Sequence, residues 1–355
     1  MKAKLRNGAM KIPRIKMLGL SLTGQCNFAC RYCYAAEHAG EKMSIATALQ
    51  AVNMAAAAGA GFVIQFTGGE PLLNFPCLEA VVRYVEEQHL PALMQIQTNA
   101  SLLDDEKALF LKKHRVAIGI SLDGKPRVND QLRRTRSGEG ATKYILQGVE
   151  VLKAHRIACG LTCVVTADNV DSLADIVEMA YFLGNVRKIG FDLLRSQGRG
   201  VRLALPSEEA MTRAMEAVYQ KNRDLSRLFG YQLLITQQQR VEGLARGCSA
   251  TFGHCHAMNG EAAFVDARGN IYACSSLIGQ PEFYLGQVET GLNRELVAQV
   301  REKIATAMSF CRDCEDFRLC GGGCYARWYG NPLGKACKSE CALQKVSILN
   351  ANKNK

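Results

Sequence analysis

The chain has 355 residues, 48% of them apolar and 22% charged, with a formal net charge of +11 and fifteen cysteines. That length suffices for one large domain and a smaller one, and no run of eighteen apolar residues could span a bilayer, so the chain reads as soluble with no membrane role. Its excess of Lys and Arg comes without a base-stacking aromatic array, which argues against nucleic acid as a partner.

The basic segment 1–16 precedes only a short apolar stretch and no small-residue cleavage site, so it does not read as a signal peptide. Without an export signal, fifteen cysteines point to metal or redox chemistry in a reducing cytoplasm rather than to disulfides. Apolar β-rich runs at 17–22, 62–66, 93–97, 116–120, 157–165 and 189–193 alternate with helical patterns. The alternation predicts βα units, a parallel sheet and, with six units, a partial (β/α)6 TIM barrel. Each run ends in residues that read as functional: Thr23-Gly24, Thr67-Gly68-Gly69-Glu70-Pro71, Thr98-Asn99, Ser121-Leu122-Asp123, Thr166-Ala167-Asp168 and Leu194-Arg195. In such barrels the loops after the strand ends build the active site, so these residues are expected to converge on one mouth.

Directly after the first run stand Cys26, Cys30 and Cys33. A cubane iron–sulfur cluster has four irons, so three thiolates leave one iron open to a ligand that is not protein. Zinc is the competing reading, but structural zinc favours paired ligands across a longer spacer, and only His38 is near enough in sequence to be a fourth. Gly68 and Gly69 would let the backbone approach a ligand without a Cβ in the way, or could simply make a strand-to-helix turn. Cys159 and Cys163 lie on one strand face roughly 13 Å apart, too far to share a cluster, and read as core. Cys77, after Pro76, reads as a buried thiol, and 55–58 with Gly59 as a packed helix and its end. His254 and His256 flank Cys255; either could ligate iron, and a place behind the ligands or at the surface is the preferred reading.

Cys26-x3-Cys30-x-Tyr32-Cys33 after a first strand resembles the signature of radical S-adenosylmethionine (radical SAM) enzymes. The resemblance implies that the cofactor's amino and carboxylate groups chelate the open iron. It also implies that an electron passed into the sulfonium yields a 5′-deoxyadenosyl radical. Gly68-Gly69-Glu70 matches the family's loop for the methionyl amino group. Ser121 to Arg133 resembles the stretch that supplies a ribose-contacting Ser, with Asp123 beside it, and an Arg for the methionyl carboxylate. Tyr32 would cover the adenine, and Asn99 and the backbone near Leu193 and Leu194 are further cofactor-binding candidates.

The C-terminal third adds Cys248, Cys255, Cys274, Cys311, Cys314, Cys320, Cys324, Cys337 and Cys341. Cys255, Gly269-x4-Cys274, Cys311-x2-Cys314-x5-Cys320-x3-Cys324 and a late Cys resemble the SPASM extension, which carries two auxiliary clusters. By that resemblance Cys248, Cys255, Cys274 and Cys324 hold one [4Fe-4S] cluster, and Cys311, Cys314, Cys320 and Cys341 the other. Cys341 is preferred to Cys337 because Cys341-Ala342-Leu343-Gln344-Lys345 resembles the usual end of such domains. Three dicationic cubanes on eleven thiolates would lower the net charge to about +6. The expected layout is a barrel at 14–225, a bridge at 226–247, the small cysteine-rich SPASM domain at 248–345 and a tail at 346–355.

Within this group, sulfatase maturases carry an Asp directly after the Cys of Gly-x4-Cys; here that position is Ser275. A hydroxyl is a poor base at neutral pH, so the expected activity is that of a maturase forming a thioether or carbon–carbon crosslink in a ribosomally made peptide. Formylglycine generation is the alternative, for which Glu261 or Asp266 could enter the pocket from a loop as the base. A partner electron donor such as flavodoxin or ferredoxin is implied. Many peptide maturases begin with a leader-binding domain, whereas 25 residues precede Cys26 here, so leader recognition is expected elsewhere or in a partner. From another class stands a zinc-stabilised binding module, which iron and sulfide analysis would separate.

Overall fold

The structure is a computed structural model that describes residues 14–36, 38–247, 255–329 and 337–353. Six parallel strands, β1 (Met17–Ser21), β2 (Phe62–Thr67), β3 (Ala92–Thr98), β4 (Ala117–Ser121), β5 (Cys159–Val165) and β6 (Val186–Leu193), pair in chain order. Between and after them run α1 (Ile45–Ala56), α2 (Phe75–Glu87), α3 (Asp105–Lys113), α4 (Pro126–Leu132), α5 (Thr142–Ala154), α6 (Leu173–Leu183) and α7 (Glu208–Phe229). This is the partial barrel that the alternation predicts. In β5 the burial alternates strictly, with Cys159, Leu161, Cys163 and Val165 inward, which confirms both cysteines as core. Cys77 is likewise buried in the first turn of α2. Burying Phe62, Ile64 and Phe66 of β2 contributes about 2 kcal/mol each.

A short β7 (Leu234–Ile235) adds to β6 and leads into α8 (Thr236–Arg246). The cysteine-rich part contains β8 (Ala262–Val265), β9 (Asn270–Tyr272), β10 (Tyr284–Gln287) and β11 (Gly291–Leu292), then α9 (Arg294–Ala307), α10 (Phe317–Cys320), α11 (Tyr325–Trp328) and α12 (Lys338–Lys353). It is joined to the barrel through the sheet. β8 pairs parallel with β1, Met17 opposite Ala262 and Leu20 opposite Val265, so one sheet runs β11-β10-β9-β8-β1-β2-β3-β4-β5-β6-β7. Gly19 makes room for this, since a Cβ there would stand 2.1 Å from the Phe264 ring. One hydrophobic cluster then includes Leu18, Ile64, Phe191, Val265, Phe283 and Leu343 from both parts.

Two of the expected boundaries fall within helices. Residue 225 falls inside α7, which Ser207 caps at its start, accepting from the Ala210 N–H at 3.1 Å, and Gly230 ends at φ +73°. The expected tail is mostly helix: α12 runs to Lys353 because Val346, Ile348 and Ala351 bury against the body, and Tyr219 Oη donates to Ser347 Oγ at 2.8 Å. Among the described residues no helix is long and apolar enough to cross a membrane.

Candidate active site

The loop after β1 carries Cys26, Cys30 and Cys33, and backbone from three other loops fixes its path. Gly69 N–H donates to Thr23 O at 2.7 Å and Glu70 N–H to Gln25 O at 2.8 Å; Ala29 and Arg31 N–H donate to Arg134 O and Leu132 O; Arg199 N–H donates to Cys33 O at 3.0 Å. The glycine pair is explained here. Gly68 has φ +139°, a Cβ on it would lie 2.3 Å from Thr23 O, and one on Gly69 would lie 2.2 Å from Gln25 O. The close approach that the sequence reserves for a ligand is thus made in part to the cysteine loop itself.

The three cysteines are free thiols that line one cavity of about 500 Å3, together with Tyr32, Gly68, Gly69, Asn99, Ser121 and Arg133. Of the strand-end residues, some of those after β2, β3 and β4 and Arg195 after β6 reach this cavity, whereas Thr23, Gly24, Thr166, Ala167 and Asp168 do not line it. Burial pushes the Cys26 thiol up to about 12 and the Cys30 thiol up to about 11, the latter against the pull of Arg133. Asn99 Nδ2 and Arg133 Nη1 each approach a sulfur, those of Cys26 and Cys30, at 3.9 Å. Buried thiols with donors aimed at them suit a cation that replaces their protons. Among the described residues no three Cys, His, Asp or Glu side chains converge on a point for a single metal ion. A cubane takes each thiolate on a different iron, so its ligands need not converge on the point that one ion would occupy.

Asp123 and Glu70 have a different place from the one expected. Neither lines the cavity, and both are 1% exposed. Asp123 accepts from the Tyr32 hydroxyl, from Arg133 Nη2 at 3.1 Å and from Val164 N–H at 2.8 Å, while Arg133 Nε stands 2.9 Å from Oδ2 without aligning for a hydrogen bond. Its carboxylate therefore holds Arg133 over the Tyr32 ring, 5.3 Å from the centroid, rather than facing a ligand. Glu70 accepts from Thr98 Oγ1 at 2.6 Å, Asn99 N–H at 2.7 Å and Leu72 N–H at 3.1 Å, tying the end of β2 to the end of β3. Burial pushes its carboxyl up to about 7 against those donors. The Leu193 and Leu194 side chains are fully buried, Leu194 against Tyr32 and Leu132, which leaves their backbone as the part expected to meet a ligand. Ser121 does reach it and accepts from Gln97 Nε2 at 2.9 Å.

Cys255, Cys274 and Cys324 line the same cavity. Burial pushes Cys255 up to about 12, and the neighbouring Cys324 and Cys274 sulfurs push it the same way. Cys248 and His254 lie outside the described residues. Farther out, burial raises Cys320 to about 12, with Cys311 and Cys341 adding to it, and Cys341 to about 11, with Cys311, Cys337 and Cys314 adding to it. Cys337 is raised by burial, with Glu340 and Arg327 as its charged neighbours. Cys311, Cys314, Cys320, Cys337 and Cys341 are thus neighbours in one region, with Cys341 N–H donating to Cys337 O at 3.1 Å.

Sequence reasoning missed the charged bridge between the two halves. Arg195 donates to Asp192 at 2.6 Å, and the buried Arg327 joins Asp192 to the buried Glu340. Despite its burial, Asp192 is held well below the usual carboxylate range by Arg195 and Arg327. Gln197 Nε2 adds a bond to Ala326 O at 3.1 Å. No motif marks these pairs, because Asp192 and Arg327 stand 135 residues apart; only the placement of Arg195 at a strand end pointed to the region.

Ser275 lines the cavity beside Cys274 and within reach of the Tyr34 phenol. The two substitutes for a base at this position are occupied elsewhere. Glu261 binds Lys16 Nζ at 2.7 Å and His256 Nδ1 at 3.2 Å, and Asp266 closes the β8–β9 turn on the Arg268 and Asn270 N–H groups, each at 2.9 Å.

Residues 20–180 match the model of the radical SAM superfamily. An uncharacterised protein of Methanocaldococcus jannaschii is 33% identical over 267 residues, 75% of this chain and 86% of that protein. A serine-type anaerobic sulfatase-maturating enzyme of Klebsiella aerogenes is 29% identical over 85% of this chain and 77% of its own. The radical SAM cyclopropyl synthase TigE of Paramaledivibacter caminithermalis is 25% identical over 94% and 73%. Among solved structures, anSMEcpe with bound AdoMet and Cp18Cys peptide superposes with TM-score 0.79 at 19% identity, covering 96% of this chain and 98% of that one. Streptococcus suis SuiB bound to its precursor peptide SuiA gives TM-score 0.65 at 16% identity over 90% and 73%.

Proposed function

The chain belongs to the radical SAM superfamily and is an enzyme of its maturase group, and on that footing we propose that it crosslinks a ribosomally made peptide through a thioether or carbon–carbon bond. The zinc-stabilised module is thereby set aside. Cys26, Cys30 and Cys33 would hold the S-adenosylmethionine cluster. Cys248, Cys255, Cys274 and Cys324, and Cys311, Cys314, Cys320 and Cys341, would hold two auxiliary [4Fe-4S] clusters. When bound, the first cluster and S-adenosylmethionine supply a 5′-deoxyadenosyl radical.

The chain's own residues prepare the site for that chemistry. The loop clamp of Gly68, Gly69 and Arg199 holds the cysteines in register, and Asp123 fixes Arg133 and Tyr32 at the cavity wall. Cys255, Cys274 and Cys324 line the same cavity, and the auxiliary clusters would accept the second electron or bind a substrate thiolate. Flavodoxin or ferredoxin would deliver the first electron.

One observation carries the choice of crosslinking over formylglycine formation. The position after Cys274 is Ser275, and the two carboxylates lining the cavity, Asp192 and Glu340, are both bound by arginines. SuiB bound to its precursor peptide and anSMEcpe bound to the Cp18Cys peptide agree with a peptide substrate. The test is mass spectrometry of a co-expressed precursor peptide. Loss of two hydrogens with a new crosslink supports the reading; an aldehyde trapped by hydrazine on a sulfatase-derived Cys or Ser peptide overturns it.

A further inference from the structure

Four guanidiniums line the cavity, those of Arg133, Arg195, Arg240 and Arg327. Three are neutralised: Arg133 by Asp123, Arg195 by Asp192, and Arg327 by Asp192 and Glu340. Among the described residues Arg240 has no acidic partner. Its charged neighbour is a second cation, Lys188 of β6, whose ammonium is lowered first by burial and then by Arg240.

Arg240 sits on a fixed wall. The first turn of α8 is pinned to β6 by Gln237, whose side chain accepts from Phe191 N–H and donates to Phe191 O at 2.5 Å. Thr236 and Arg240, four residues apart, share one face of α8, and both line the cavity. An uncompensated guanidinium beside another cation, partly withdrawn from water, is unfavourable until an anion joins it, and a planar carboxylate matches its fork. The cavity already ties up every cation on its walls except this one, among the described residues.

We propose that Arg240 is a carboxylate-binding subsite that selects an acidic group of the peptide substrate and seats it against α8. The inference rests on the peptide reading above and adds the chemistry of the residue that is recognised. That carboxylate could be an Asp or Glu side chain or the peptide's C-terminus.

The test is affinity-selection mass spectrometry on the anaerobically reconstituted, S-adenosylmethionine-saturated enzyme with two equimolar pools. One holds capped pentapeptides Ac-Gly-Gly-Xaa-Gly-Gly-NH2; the other holds the same peptides with free C-termini. Wild-type enzyme should enrich Glu or Asp over Gln or Asn in the capped pool, or free over amidated C-termini, by about tenfold, the selectivity expected of a charge-assisted hydrogen bond. R240K should keep the preference, R240Q should lose it, and R240E should shift retention toward Lys and Arg, which a merely misfolded variant would not do.

Retention without acidic preference, or an R240Q profile like that of wild type, overturns the subsite and leaves the peptide reading standing. A changed affinity of R240Q for S-adenosylmethionine itself assigns Arg240 to the cofactor and also overturns it. If wild-type enzyme retains no peptide of either pool, the peptide reading fails and the subsite falls with it.

Discussion

Asp123→Asn probes the hub that positions Arg133 and Tyr32. The carboxylate is 1% exposed, accepts from the Tyr32 hydroxyl, Arg133 Nη2 and Val164 N–H, and is the carboxylate paired with a guanidinium that is itself only 6% exposed. An amide keeps the shape but removes the charge and turns an N–H2 toward groups that donate. Breaking a buried pair from one side costs about 3–5 kcal/mol, because the remaining charge stays buried without a partner. For a protein of this length that is a fall in Tm of about 5 °C. Arg133→Met leaves the opposite charge stranded and should cost a similar amount. The double variant, with neither charge left, should recover about 2 kcal/mol or more relative to the sum of the two. Urea unfolding of the iron-free protein measures all three. A cost below about 1 kcal/mol for Asp123→Asn, or strict additivity, would refute the view that this carboxylate is a structural anchor.

Gly69→Ala should prevent loading of the cluster on Cys26, Cys30 and Cys33, since its Cβ meets Gln25 O at 2.2 Å and backbone cannot yield as a side chain would; normal iron content at that cluster would contradict this. Cys341→Ala should lower iron per chain and stop product formation while S-adenosylmethionine is still cleaved, whereas Cys337→Ala should be nearly silent; the opposite pattern reassigns the ligand. Glu70, raised by burial to about 7, holds its proton more tightly folded than unfolded. Its contribution to stability is therefore full below about pH 4.5 and is lost as pH rises through about 7, a change of about 3 kcal/mol that Glu70→Gln should abolish in denaturant titrations across that range. A wild-type pH dependence unchanged by that substitution would count against the buried carboxyl as its source.

Much of this architecture was legible because it is written in local patterns. Strand alternation placed β1 to β6, and the cysteine spacing marked both ends of the site before any contact was known. What the sequence hid is long-range. Parallel pairing of β8 with β1 depends on Phe264 finding room over Gly19, and nothing local links residues so far apart. Glu70 and Asp123 stood in motifs that read as ligand-binding, yet both point inward, because a short acidic side chain near a buried N–H or guanidinium is spent on the scaffold. Asp192, Arg327 and Glu340 belong to no motif at all, and their role as a bridge exists only once the halves are packed. Cys337 and Cys341 are separated only by resemblance, since both stand at the start of α12 and Cys341 feels Cys311, Cys337 and Cys314 alike.

The central claim, that three cysteines after β1 hold a radical-generating cluster distinct from the auxiliary ones, meets its most direct test in the Cys26→Ala/Cys30→Ala/Cys33→Ala variant. Iron per chain and 5′-deoxyadenosine are measured together after anaerobic reconstitution with dithionite and S-adenosylmethionine. The wild-type enzyme should hold about twelve irons and form 5′-deoxyadenosine, while the variant should keep about eight irons and form none. Continued 5′-deoxyadenosine formation by the variant would contradict the account.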